Sequence, residues 1–203
     1  MSGTLLWLLV GAGLLVVVVR RRSLAVGLVT AQALLLAGVA LRDAGGAGDV
    51  VAAAALAARA VALGLLFFLL VARTREPQRV RAGASPLVRT AAAIAFALLI
   101  VWLVPTMGLT SRTAERAVLT LVGFGLVVVA TRRATLFQVL GIVLVENGVA
   151  LAALELPGAS SPAIEIGVAF DLLLVALVAT VFHERIFAEF GAGDTALLRS
   201  LRD

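Results

Sequence analysis

The sequence contains no cysteine and no lysine, and it has a single histidine. Without cysteine the chain cannot by itself hold an iron–sulfur cluster or a structural zinc ion, and one histidine cannot supply two axial ligands to a haem. We therefore expect no cofactor, and any redox chemistry must belong to a partner. Charged residues are also scarce, at 14% of the chain, far below what the surface of a soluble domain of 203 residues needs.

Long apolar runs occupy most of the chain instead. It is 62% hydrophobic with a mean hydropathy of +1.13, and each run is about the 20 residues that cross a bilayer. The first run precedes Arg20 to Arg22 without a small-residue cleavage site, so it is interpreted as a span and not as a signal peptide. The predicted fold class is all-α, a polytopic membrane protein with seven transmembrane helices: 3–19, 24–41, 50–72, 90–109, 115–131, 134–154 and 164–182.

Single residues predict further details of these spans. Pro105 lies near the end of the fourth run and predicts a kink there. Glu115 and Arg116 open the fifth run, whose apolar part is short, and both are expected to extend toward the membrane surface. Gly141 and Gly148 are seven residues apart and share a face of the sixth helix, where they predict close helix packing.

The arginines predict the orientation of the chain. Their total of 17 against 12 acidic residues could indicate a nucleic-acid partner, but their distribution argues otherwise. With the N-terminus outside, the cytoplasmic segments carry 13 arginines and the outer segments only Arg42, Arg112 and Arg116. This asymmetry follows the positive-inside rule, predicts a cytoplasmic C-terminus and leaves no reason to expect nucleic acid. The basic stretch from Arg73 to Arg89 is interpreted as topological, with docking of a peripheral partner as the alternative.

Three ionisable residues lie near the middle of predicted spans. Glu146 stands beside Asn147 in the sixth span, and an ionised carboxylate at mid-membrane costs roughly 2.5 to 3.5 kcal/mol, so such residues tend to mark an ion or proton path. Counted along their helices, Glu146, Asp171 and Arg59 all lie about 3 Å to the outer side of the midplane. They form one buried cluster if their helices are neighbours. The alternative is that Glu146 and Asn147 only bond neighbouring helices and that Arg59 only neutralises a carboxylate.

Glu146 and Asp171 are predicted to act as a coupled pair. Only residues 155–163 join their helices, which favours antiparallel neighbours. Charging one acid makes charging the other harder, so a single shared proton is the expected resting state. Arg59, if adjacent, lowers the cost of the ionised partner but cannot pass a proton readily itself.

Other polar residues carry weaker signals. Glu165 lies at the start of the seventh span, where the helix dipole stabilises a carboxylate. It is therefore interpreted as a helix cap, with a role in a proton relay as the weaker alternative. His183 follows that span. It is interpreted as a residue of the membrane interface, and a role in proton uptake is the alternative. Gln32 and Gln138 are expected either to hold water along a proton path or to form hydrogen bonds to a neighbouring helix.

Two runs near the end of the chain carry a family resemblance. The run LGIVLVENGVALA, followed by IEIGVAFDLLLVALVATVFHERI, resembles the hydrogenase-4 component E family of formate hydrogenlyase-type membrane complexes. The match covers about the last seventy residues, and the first hundred only in span pattern. Residues 114–187 are more distantly similar to the three-helix K subunit of respiratory complex I and the C subunit of multi-subunit antiporters. In that comparison the second carboxylate aligns with Asp171, and the first aligns with Val143, one turn before Glu146.

This resemblance implies a division of the chain and a function. It implies an N-terminal four-helix part at 1–113, a three-helix module at 114–187 and a cytoplasmic tail at 188–203. The implied function is that of a non-redox subunit of the bacterial cytoplasmic membrane, contributing a proton path between antiporter-like subunits of a complex with a peripheral hydrogenase module. The alternatives are a structural spacer without proton transfer, a subunit of a cation/proton antiporter, and an independent transporter.

Overall fold

Helices make up the described part of the chain. The computed structural model describes residues 2–74, 85–156, 172–173, 175–177, 179–185 and 187. Within these ranges the structure has no β-strand and forms six bounded helices: α1 (Gly3–Val18), α2 (Arg22–Arg42), α3 (Ala47–Thr74), α4 (Pro86–Leu103), α5 (Arg112–Thr131) and α6 (Thr135–Glu155). The described residues between 172 and 187 are helical as well. The predicted all-α class is therefore confirmed.

Five of these helices, α2 to α6, are long and apolar enough to cross a membrane. The chain is thus a multi-pass membrane protein. The first helix, α1, is apolar but only 16 residues long. Much of the predicted seventh span, 164–182, lies outside the described residues, so the count of seven and the orientation of the termini stay predictions, as do the domain boundaries.

The fourth helix ends earlier than predicted. It begins at Pro86, preceded by Ser85, whose hydroxyl accepts a hydrogen bond from the Val88 amide at 3.2 Å. It ends at Leu103, because Val104 is extended (φ −80°, ψ 124°) as expected for a residue before proline. The predicted kink at Pro105 is therefore wrong, since Pro105 lies beyond the helix and terminates it.

The fifth span forms one uninterrupted helix of 20 residues, capped by the Ser111 hydroxyl, which accepts from the Ala114 amide at 3.1 Å. The prediction that Glu115 extends to the membrane surface is wrong. It is buried, and its Oε1 accepts hydrogen bonds from the amides of Met107 and Gly108, both at 3.1 Å. The loop after α4 folds back over the start of α5, with Gly108 at a positive φ of 75°, and this loop keeps the carboxylate inside.

The fifth and sixth helices lie at the centre of the packing. The α5 helix packs against α6, α4 and α1, while α6 also contacts α2, and α2 contacts α3. Gly125 and Gly141 let α5 and α6 approach closely: a Cβ on Gly141 would lie 2.8 Å from the carbonyl oxygen of Gly125. Small residues at such crossings are the usual basis of close helix packing in membranes. The close packing predicted at Gly141 is confirmed, and at Gly148 a Cβ would meet Val122 Cγ2 at 3.0 Å.

Gly141→Ala is expected to destabilise the protein by about 1 to 3 kcal/mol, because the new methyl group must push the two backbones apart. Thermal unfolding of the purified protein in detergent measures the effect. The matched control is Gly27→Ala in α2, where a Cβ meets nothing within 4 Å. This control should be neutral or slightly stabilising, since alanine is the better helix former. Equal effects of the two changes would contradict the packing argument.

Candidate functional site

Arg59 and Glu146 meet inside the helix bundle. Arg59 projects from α3 and its Nη1 donates a hydrogen bond to Oε1 of Glu146 on α6, which forms a salt bridge between the two helices. The side chains are 3% and 14% exposed. The structure therefore brings together two of the three ionisable residues that the sequence places at one depth. Asp171, the third, lies outside the described residues.

Asn147 joins a second polar contact beside this pair. It is fully buried, and its Nδ2 donates to Oε1 of Gln32 on α2 at 3.0 Å. The Nε2 of Gln32 in turn donates to the backbone carbonyl of Leu9 on α1 at 2.8 Å. This chain of hydrogen bonds links α6, α2 and α1. Buried polar groups in a membrane interior are expected to find such partners across helices.

A small cavity adjoins both groups. It has a volume of about 10 Å³, and Arg59 and Asn147 are its polar lining residues together with Thr30. That volume is on the order of the space that one water molecule needs. Oε2 of Glu146 and Oδ1 of Asn147 accept no hydrogen bond from the described residues. Of these two residues Asn147 lines the cavity, and Glu146 reaches it only through its partner Arg59.

A larger cavity of about 210 Å³ lies where α2 and α6 end and α3 begins. Three carboxylates line it: Asp43, Asp49 and Glu155. Glu155 is buried and is held by Thr110, whose hydroxyl donates to Oε2 and whose amide donates to the Glu155 carbonyl at 3.1 Å. Glu155 follows Glu146 by nine residues, about 13 Å along the helix. Sequence reasoning missed this acidic cavity, although Asp43, Asp49 and Glu155 all lie next to predicted outer ends of spans, which was a visible signal.

The remaining predicted site residues lie elsewhere. Gln138 donates from Nε2 to the carbonyl of Arg132 at 3.0 Å, so it bonds its own connecting loop and not a neighbouring helix. His183 is buried, and burial together with the charge of Arg22 lowers its pKa to about 4, so its imidazole is neutral near pH 7. Glu165 lies outside the described residues.

The helices and their buried polar contacts define a class: a multi-pass α-helical membrane protein with an ion pair between its spanning segments. Over 205 residues the chain is 32% identical to the uncharacterized protein Rv0085 of Mycobacterium tuberculosis, a match that covers 93% of this chain and 90% of that protein. The chain belongs to the same family as Rv0085. No family model matches the chain, and no solved structure matches it.

Proposed function

We propose that this chain is a proton-path subunit of a redox-driven, proton-translocating complex in the bacterial cytoplasmic membrane, of the hydrogenase-4 and formate hydrogenlyase type. Its partners are antiporter-like subunits in the membrane and a hydrogenase module at the membrane surface. The observation that carries the proposal is the buried Arg59–Glu146 pair beside a space of water size. The resemblance of the last seventy residues to component E subunits supplies the type of complex.

Glu146 is the proton carrier in this proposal. A carboxylate can take up and release a proton, whereas the guanidinium of Arg59 stays charged. With Glu146 ionised, the pair is neutral overall and stable inside the membrane. When a proton reaches Oε2, which has no partner among the described residues, the attraction to Arg59 weakens and the carboxyl group is able to change partners. This exchange is the elementary step of a proton relay.

The acidic cavity at the predicted outer end is the second part of the path. Its carboxylates attract protons and cations, and it lies about 13 Å along α6 from Glu146. Small side chains separate the two sites, since the packing between them consists largely of alanines from α2, α3 and α6. The proposal requires water to enter transiently between these helices. Asp171, which the sequence places at the depth of Glu146, remains the proposed second carboxylate.

The structural-spacer function is the second candidate, and one observation favours it. Arg59 and Glu146 already neutralise each other, and Asn147 with Gln32 ties three helices together. Such contacts would hold a membrane subunit in shape without moving a proton. The two candidates differ in what happens when the titratable proton alone is removed.

Glu146→Gln tests this difference. Glutamine keeps an acceptor oxygen for Arg59 but has no titratable proton, so the complex should assemble while coupled proton transfer falls at least about tenfold. The complex is purified in mild detergent, its subunits are identified by mass spectrometry, and proton transfer is measured in proteoliposomes. Glu115→Gln is the matched control, because Glu115 is also buried but holds a loop and pairs with the exposed Arg112 at the end of its helix.

Three results would contradict the proposal. Full coupled turnover of the Glu146→Gln complex would leave only the spacer function. An equal loss with Glu115→Gln would show that any buried glutamate matters for folding alone. Purification without antiporter-like subunits and a nickel–iron hydrogenase module would remove the proposed type of complex, whatever the variants do.

A further inference from the structure

Three arginines are buried at the end of the bundle opposite to the acidic cavity: Arg22, Arg89 and Arg132. Arg89 lies in the first turn of α4 and is 1% exposed, and Arg132 follows the last residue of α5 and is 4% exposed. The sequence assigned Arg89 and Arg132 to topology, with docking of a peripheral partner as the alternative for the stretch that ends at Arg89. An arginine at the membrane surface suffices for topology. The burial of Arg89 and Arg132 needs another explanation.

Arg132 is held in a fixed position. Its Nη2 donates to the carbonyl of Val17 at 2.9 Å and to the carbonyl of Val19, at the end of α1. Its guanidinium lies 4.2 Å from the centre of the Phe137 ring, a cation–π distance. Burial, followed by the charges of Arg89 and Arg20, lowers its pKa to about 9, so it is still protonated near pH 7. Nε and Nη1 have no hydrogen-bond partner in the described part of the chain.

The guanidinium group of Arg89 has even fewer hydrogen-bond partners than that of Arg132. Nε, Nη1 and Nη2 all lack a hydrogen-bond partner among the described residues. The first turn of a helix carries the positive end of the helix dipole, which further disfavours a cation there. No carboxylate of the described residues forms an ion pair with Arg89 or Arg132. A buried charge without a partner is strongly unfavourable, and a bound anion would offset this cost for the two neighbouring cations.

We propose that Arg89 and Arg132 form a binding site for a phosphate group, with Arg20 at its exposed edge. A guanidinium presents donors in a planar fork that matches two phosphate oxygens, which makes arginine the preferred residue for this ligand. The group is carried by an anionic phospholipid or by a soluble phosphate. The site lies where α1, α4 and α5 meet, at the end that the arginine distribution assigns to the cytoplasm. Basic pockets between helices on that side are typical sites for anionic lipid headgroups.

The test uses the full-length protein, purified in detergent and stripped of lipid. Phosphatidylglycerol, phosphatidylcholine and inorganic phosphate are added separately, and native mass spectrometry measures what the protein retains. We expect the wild-type protein to retain phosphatidylglycerol, and Arg89→Gln to retain about tenfold less, since charge-assisted hydrogen bonds are lost. Arg21→Gln, an exposed arginine at the same end, is the control and should stay within about twofold of wild type.

Thermal unfolding without added ligand separates binding from folding. Arg89→Gln removes an uncompensated buried charge, so its unfolding temperature should equal or exceed that of the wild type. Arg89-dependent binding of inorganic phosphate alone would support the site and identify a soluble source. Three results would overturn the proposal: equal retention of phosphatidylcholine, an equal loss with Arg21→Gln, or a wild-type protein that retains none of the three probes. A less stable Arg89→Gln protein whose lipid retention is unchanged would likewise assign Arg89 a structural role.

Discussion

Arg59→Gln is expected to destabilise the folded protein by about 3 to 5 kcal/mol, because it leaves the Glu146 carboxylate without its cation inside the bundle. Arg59 is 3% exposed and Glu146 is 14% exposed, so water can replace little of the lost interaction. Adding Glu146→Gln to Arg59→Gln removes the stranded charge and should restore much of the lost stability. Unfolding of all four proteins in mixed micelles gives the coupling free energy of this double-mutant cycle.

The chain offers a matched control for this cycle. Arg42 and Asp43 also form an ion pair, with Nε and Oδ1 3.9 Å apart, but their side chains are 86% and 59% exposed. The cycle of Arg42→Gln with Asp43→Asn should therefore give a coupling free energy between about 0 and 1 kcal/mol. Comparable coupling in both cycles, or strict additivity for Arg59 and Glu146, would contradict the argument that burial makes the central pair strong.

The same double variant separates the two candidate functions. Arg59→Gln combined with Glu146→Gln removes both charges and so leaves no uncompensated charge between α3 and α6. The spacer function predicts that a complex containing this stable variant transfers protons normally. The proton-path function predicts a folded and assembled complex without coupled transfer, since residue 146, the proposed proton carrier, can no longer bind and release a proton.

Glu146→Gln combined with Asp171→Asn is expected to reduce coupled proton transfer little more than either change alone. If each single change lowers the rate about tenfold, the double variant should also be about tenfold slower, not about a hundredfold, because both residues serve one shared proton. Proton uptake into proteoliposomes containing the assembled complex provides the measurement. The prediction for Asp171 comes from the sequence, from its depth and the short connection between the helices.

A third combination shows whether the measured non-additivity is specific. Glu115 lies on α5 and holds the loop before it, so Glu115→Gln combined with Asp171→Asn should be additive. Multiplicative losses for Glu146 with Asp171 would mean that the two acids act independently. The relay would then be abandoned, although Glu146 could still act alone.

Local chemistry by itself determined much of the fold. Long apolar runs must become helices in a membrane because their backbone groups have no other partners there, so the spans of α2, α3, α5 and α6 follow from the sequence. Depth also follows, because every helical residue rises by the same 1.5 Å. That regularity placed Arg59 and Glu146 at one level. The end of α4 was missed because the residue before Pro105 already leaves the helix.

Only the tertiary structure decided which helices are neighbours and which polar groups are buried. That α3 reaches α6 and joins Arg59 to Glu146 depends on how α2 packs between other helices, which no local pattern encodes. Glu115 and Arg89 were expected at the membrane surface from their positions near the ends of spans. In the structure, however, a loop folds back over Glu115 and buries it, and Arg89 is buried where α4 meets its neighbours. Burial is a property of contacts between distant segments, so the sequence positions of these charges could not reveal it.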